Sequence, residues 1–206
     1  GGNFLFDKPS SGGEPERQLG SFEAQFPTDW SPDGKFVVYH AASWTNLSYD
    51  VFVFALTGAA KPQPFADSPF AEIDGHLSPD ARWLAYASDE SGHMEVYVQA
   101  LPRSGSKWQV STGGGSEPHW RRDGKELFYL SPDRKIMAVA VGGAPTFEAD
   151  TPRPLFQTRA PFPGSIYRMN YDVTGDGTRF LVNTLIEGAS SSPINVVFNW
   201  PASLVK

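Results

Sequence analysis

Four short stretches decide the fold: Trp30-Ser31-Pro32-Asp33-Gly34, Leu77-Ser78-Pro79-Asp80-Ala81, Trp120-Arg121-Arg122-Asp123-Gly124 and Val173-Thr174-Gly175-Asp176-Gly177. Their turn motifs recur at intervals of 47, 43 and 53 residues, close to the roughly 40–50 residues of a four-stranded propeller blade. Each reads as a hairpin turn. Pro presets φ at the first corner, Asp bonds back to nearby amides, and Gly takes the left-handed position that closes the hairpin. Ala81 stands where the other three turns have Gly, at an expected cost of about 1 kcal/mol.

The flanks repeat as well. Three residues beyond each turn lie Val37, Leu84, Leu127 and Phe180, and five beyond lie Tyr39, Tyr86, Tyr129 and Val182. That two-residue step is the period of a strand with one face inward. It places Trp30, Trp120 and the three tyrosines at core positions. A third strand follows at 50–54, 95–98, 135–139 and 194–198, and a more polar fourth at 63–65, 108–110 and 155–157. Polar residues and Pro suit an outer edge, where a strand must not recruit neighbours.

The prediction is an all-β protein, a β-propeller of four-stranded antiparallel blades. The whole of 1–206 is one region: the last strands of a preceding blade at 1–20, blades at 21–67, 68–113 and 114–158, and a final blade at 159–206. About four blades and an N-terminal half-blade make a small ring closed by strand exchange, or a partial propeller. A partial propeller would expose blade faces and self-associate through them. The opening Gly1-Gly2-Asn3, without Met or a leader-like segment, reads as the start of an excised part of a longer protein.

Composition agrees with this architecture. The chain is 40% hydrophobic and 19% charged, so it can bury a core. Twenty Gly, 18 Pro and 14% aromatic residues suit many turns between short strands. A net charge of −6 without a Lys/Arg cluster excludes a nucleic-acid partner. No apolar run reaches the ~18 residues of a membrane helix, so this segment inserts in no membrane. Absence of Cys excludes disulfides and thiolate metal sites.

The motifs of catalysis are missing. Gly188-Ala189-Ser190-Ser191-Ser192 fails the nucleophile-elbow pattern. No P-loop, dinucleotide fingerprint or His-Glu-x-x-His helix occurs, and Gly113-Gly114-Gly115 reads as a blade-to-blade loop with no helix behind it. No cofactor is expected. Aligning the repeats gives the one constellation worth following: Asp29, His76, His119 and Asp172 each stand two residues before a turn motif, on the innermost strand. Two imidazoles and two carboxylates are the chemistry of a divalent-ion site. In a ring of many blades, though, they stand too far apart to share an ion, and a polar channel lining with no metal is the expectation. Asp172 to Gly177 has the look of a calcium loop but lacks the Glu at the required spacing. The longest interval carries Arg159-Ala160-Pro161-Phe162-Pro163-Gly164, whose Arg159 and Phe162 are candidate loop contacts.

These residues have a recognisable pattern. Phe26 to Lys35 and Leu77 to Tyr86 resemble the WD-like repeat of TolB-type propellers. Glu95 to Gln99 with Gly113 to Gly124, and Arg179 to Asn183 with Pro193 to Trp200, resemble the C-terminal propeller of bacterial membrane-bound serine/threonine protein kinases. Related propellers also follow DNA-binding transcriptional regulators. The resemblance implies a periplasmic or extracellular part of a membrane-anchored signalling protein. It would sense or bind a protein, peptide or small molecule at the channel mouth without catalysis. Two alternatives remain open at this point: a propeller attached to a hydrolase or lyase activity, and a structural module that pairs half-rings.

Overall fold

A computed structural model describes residues 4–19, 25–43, 48–57, 62–65, 68–142, 146–161 and 169–184. Apolar residues at alternate positions on either side of each turn dictate a series of antiparallel hairpins. The described residues form strands and turns with no helix. β1 (Leu5–Asp7) and β2 (Arg17–Leu19) pair as a two-stranded sheet. β3 (Gln25–Trp30), β4 (Phe36–Ser43), β5 (Ser48–Ala55) and β6 (Gln63–Pro64) make a four-stranded meander. A second meander follows in β7 (Glu72–Leu77), β8 (Trp83–Ser88), β9 (Glu95–Ala100) and β10 (Lys107–Gln109). The third blade runs β11 (Ser116–Trp120), β12 (Glu126–Leu130) and β13 (Lys135–Gly142), with both β14 (Glu148–Ala149) and β15 (Arg153–Gln157) on the outer edge of β13. β16 (Tyr171–Val173) and β17 (Phe180–Val182) pair as the inner hairpin of a fourth. The third strand expected at 194–198 lies outside the described residues.

All four turns take the expected form. The fourth residue of each donates its N–H to the first residue's carbonyl at 2.8–2.9 Å, and Asp33, Asp80, Asp123 and Asp176 each accept the amide two residues on. Gly34, Gly124 and Gly177 have φ of 70° to 73°, and Ala81 is forced to 54°. A fifth turn, Ser131-Pro132-Asp133-Arg134, has the same chemistry, with Arg134 at φ 65°. It joins β12 to β13, the second hairpin of its blade, so motif alone does not fix place.

Each blade buries one face against the next. Leu5 and Leu19 cover Val37, Tyr39 and Phe52, while Val38 and Val51 meet Leu77, Leu84 and Tyr86. Ala85, Val96 and Val98 meet Leu127, Tyr129 and Val139, and Phe128, Leu130 and Ile136 meet Tyr171 and Phe180. Burying a large apolar side chain contributes about 1.5–3 kcal/mol, so these contacts dominate the stability. Gly75 is required by one of them. A Cβ there would lie 2.8 Å from a methyl of both Val38 and Val51.

Candidate functional site

The inner strands β3, β7 and β11 share an irregularity. Their register slips between Pro27 and Asp29, between Ile73 and His76, and between Ser116 and His119. A bulge bends a strand and re-aims the side chains that follow it. Asp74 and Glu117, at matching places in β7 and β11, take left-handed φ values of 57° and 54°.

A buried ladder runs through these bulges, four residues before each turn motif. Glu117 N–H donates to Asp74 Oδ2 at 3.3 Å, and Asn170 donates to both Glu117 carboxylate oxygens at 2.6 Å. Each blade's side chain thus holds the next blade at the same position. Blade one has Pro27 there, and His40 Nδ1 accepts the Asp74 N–H instead, at 3.4 Å. Asp74 and Glu117 are both fully buried. Desolvation, reinforced by the nearby Glu117 carboxyl, pushes Asp74 well above the ordinary carboxylate range.

Two residues further along stand Asp29, His76, His119 and Asp172. All four line one open cleft of 560 Å³ at the turn end of the inner strands. Asp29 bridges two blades: its Oδ2 accepts the Leu77 N–H at 2.8 Å while Oδ1 accepts that of Trp30. Burial raises its pKa, opposed by those two amides. The rings of His76 and His119 lie 4.3 Å apart, and Tyr171 sits 4.6 Å beyond His119. Burial lowers His76 to about 4, and burial with the neighbouring His76 lowers His119 to about 3. Both rings are neutral at pH 7, so the 4.0 Å approach of His76 Nδ1 to Asp29 is not an ion pair. His119 Nδ1 lies 3.1 Å from the Glu117 carbonyl and must carry the proton that bonds to it.

Among the described residues, no three His, Asp or Glu groups come close enough to hold a metal ion. The four aligned residues share a cleft without forming a coordination centre. Arg159 is exposed and stands apart from the cleft, and Phe162 lies outside the described residues. In the stretch with the look of a calcium loop, Asp176 Oδ1 is engaged by Thr174 and Thr178 in the turn.

Trp30 corrects the sequence reading. It is 52% exposed and lines the cleft mouth instead of the core. The reason is visible in its counterpart Trp120, which is half-buried and donates its indole N–H to the His76 carbonyl of the preceding inner strand at 3.0 Å. Among the described residues no inner strand stands beside β3 in that position.

No family model matches the chain, and no curated protein matches it. Solved structures do. A protein identified as TolB from Agrobacterium tumefaciens is 17% identical, with a TM-score of 0.54 over 71% of this chain and 59% of its own. TolB from Acinetobacter baumannii gives 17% identity and a TM-score of 0.56 over 82% and 45%. The fold is a TolB-like β-propeller. A puromycin-hydrolyzing peptidase of Mycobacterium tuberculosis reaches a TM-score of 0.58 at 19% identity, over 84% of this chain and 34% of its own. The chain therefore spans about a third to three fifths of these structures, and at such identities the likeness is one of fold alone. In this TolB-like propeller, the bulged inner strands frame the cleft lined by Asp29, His76, His119 and Asp172.

Proposed function

We propose that the chain is a non-catalytic, peptide- or protein-binding propeller, the extracytoplasmic interaction part of a larger bacterial signalling protein. The observation that carries this reading is the open cleft into which the repeat brings Asp29, His76, His119 and Asp172, with the exposed Trp30 at its rim. An aromatic anchor beside a few convergent polar groups on a rigid scaffold is the usual form of a recognition site. The likeness to TolB proteins supports a binding scaffold, and the absence of a membrane-spanning helix among the described residues suits a domain outside the bilayer.

The chemistry of the cleft favours binding over hydrolysis. Its only hydroxyls among the described lining residues are those of Thr28 and Tyr171. Both donate to backbone carbonyls, of Gly75 and Glu117, and among the described residues neither is hydrogen-bonded to a histidine nitrogen as an activated nucleophile would be. Selection of peptides from a random display library against the chain tests the proposal. Selected peptides should lose binding at least about tenfold on Trp30→Ala, the loss expected of an aromatic anchor. Equal binding by the variant, or steady release of peptide fragments, would sink it.

A further inference from the structure

Three of the four aligned residues in the cleft present hydrogen-bond acceptors: Asp29, Asp172 and His119. Asp29 and Asp172 are carboxylates; Asp172 spends one oxygen on a backbone amide, and Asp29 accepts one amide on each oxygen. His119 is only 8% exposed and is committed through Nδ1 to the Glu117 carbonyl. Its Nε2 is therefore a lone-pair nitrogen, without a hydrogen-bond partner among the described residues, on a ring that lines the cleft. His76 Nε2 is likewise buried without a partner. Burial dominates at His119 and disfavours charge on the ring itself, while the two carboxylates act in the opposite sense; it is their negative charge that suits a cation supplied from outside.

Arg122, the one Lys or Arg among the described lining residues, forms no ion pair with Asp29 or Asp172 among the described residues. A single metal ion fits poorly, because the acceptors are too dispersed for three to reach it. An anion would meet Arg122 but also the two carboxylates. A flat, delocalised cation with several donors spread around its rim fits a dispersed acceptor set, and it stacks on an indole face as a compact ammonium does less well.

We propose that the cleft binds a guanidinium group, the side chain of an arginine in the bound peptide, over the His76–His119 pair between Asp29 and Asp172 with Trp30 against its face. This rests on the reading of the cleft as a peptide site. The probe is acetyl-arginine-methylamide, titrated into the full chain while the indole N–H and imidazole resonances are followed by NMR. Its citrulline and lysine analogues serve as comparators. The arginine probe should shift the Trp30 and His119 signals saturably. The citrulline analogue, neutral and nearly isosteric, should bind about tenfold or more weakly, as should the arginine probe on Asp172→Asn, tenfold being the loss of roughly one charge-assisted hydrogen bond. Asp172 is exposed, so that variant keeps the fold, and its unchanged remaining spectrum verifies this. Equal binding of citrulline, undiminished binding by Asp172→Asn, or movement of the same signals by Ca²⁺ or Mg²⁺ but not by arginine would overturn the proposal. Peptides that anchor on Trp30 irrespective of arginine content would leave the peptide site standing and remove the guanidinium assignment alone.

Discussion

Replacing Asp74 by Asn should make the protein more stable at neutral pH, by an amount that grows with pH. Asp74 is fully buried, accepts the N–H of the equally buried Glu117, and has one carboxyl oxygen without a partner among the described residues. Desolvation and Glu117 raise its folded pKa well above the ordinary value. The sign follows from proton counting. Above the ordinary carboxylate pKa of about 3.9 the unfolded chain has released this proton while the folded chain retains it, so stability falls as pH rises. One retained proton corresponds to a slope of about 1.4 kcal/mol per pH unit, from about pH 4 up to the pH at which folded Asp74 ionises. Asn keeps the shape and an acceptor oxygen for the Glu117 N–H but cannot ionise. Urea unfolding of parent and variant at half-unit pH steps isolates Asp74 with its coupling to Glu117, because the titrations of groups that do not interact with Asp74 cancel in the difference. A stability difference that stays flat across pH, or that shrinks as pH rises, would refute the argument.

Other consequences follow from single positions. Ala81→Gly should relieve the left-handed strain by about 1 kcal/mol, raising the melting temperature by roughly 2–4 °C for a domain of this size. Gly75→Ala should destabilise by about 1–3 kcal/mol, since its Cβ would press on Val38 and Val51 at the contact between the first two four-stranded blades; equilibrium unfolding reads this directly. Glu95→Ala should cost at least about 2 kcal/mol, because Glu95 accepts the amides of Gly113 and Gly114 and the Ser111 hydroxyl at the loop between blades. Faster amide exchange at Gly113 and Gly114 would confirm the locus.

What the sequence made legible was local. The turns and strand phases are encoded within a few residues, as the bonds to Asp33, Asp80, Asp123 and Asp176 show. Asp29, His76, His119 and Asp172 were found because a ruler set by turns carries over to positions two residues away. What escaped depends on neighbouring blades. Trp30 and Trp120 occupy equivalent places, yet only Trp120 finds the carbonyl of a preceding inner strand. The ladder of Asp74, Glu117 and Asn170 was missed although polar residues at one aligned position were a usable signal. Their partners lie 43 and 53 residues apart, and the bulges that bring them together leave no mark in hydropathy. The extra edge strand β14 was likewise invisible, being two residues long and exposed.

Binding of a peptide over the cleft at the turn end of the inner strands is tested most directly by a photo-crosslinking residue placed at Arg122, compared with one at His93 on the connection between β8 and β9. Arg122 is exposed and lines the cleft beside an intact Trp30, and His93 is exposed at the other end of its blade. A selected peptide should label the chain from position 122, competed by excess unlabelled peptide, and not from position 93. Labelling from position 93 alone, or equally from both without competition, would contradict binding at the cleft.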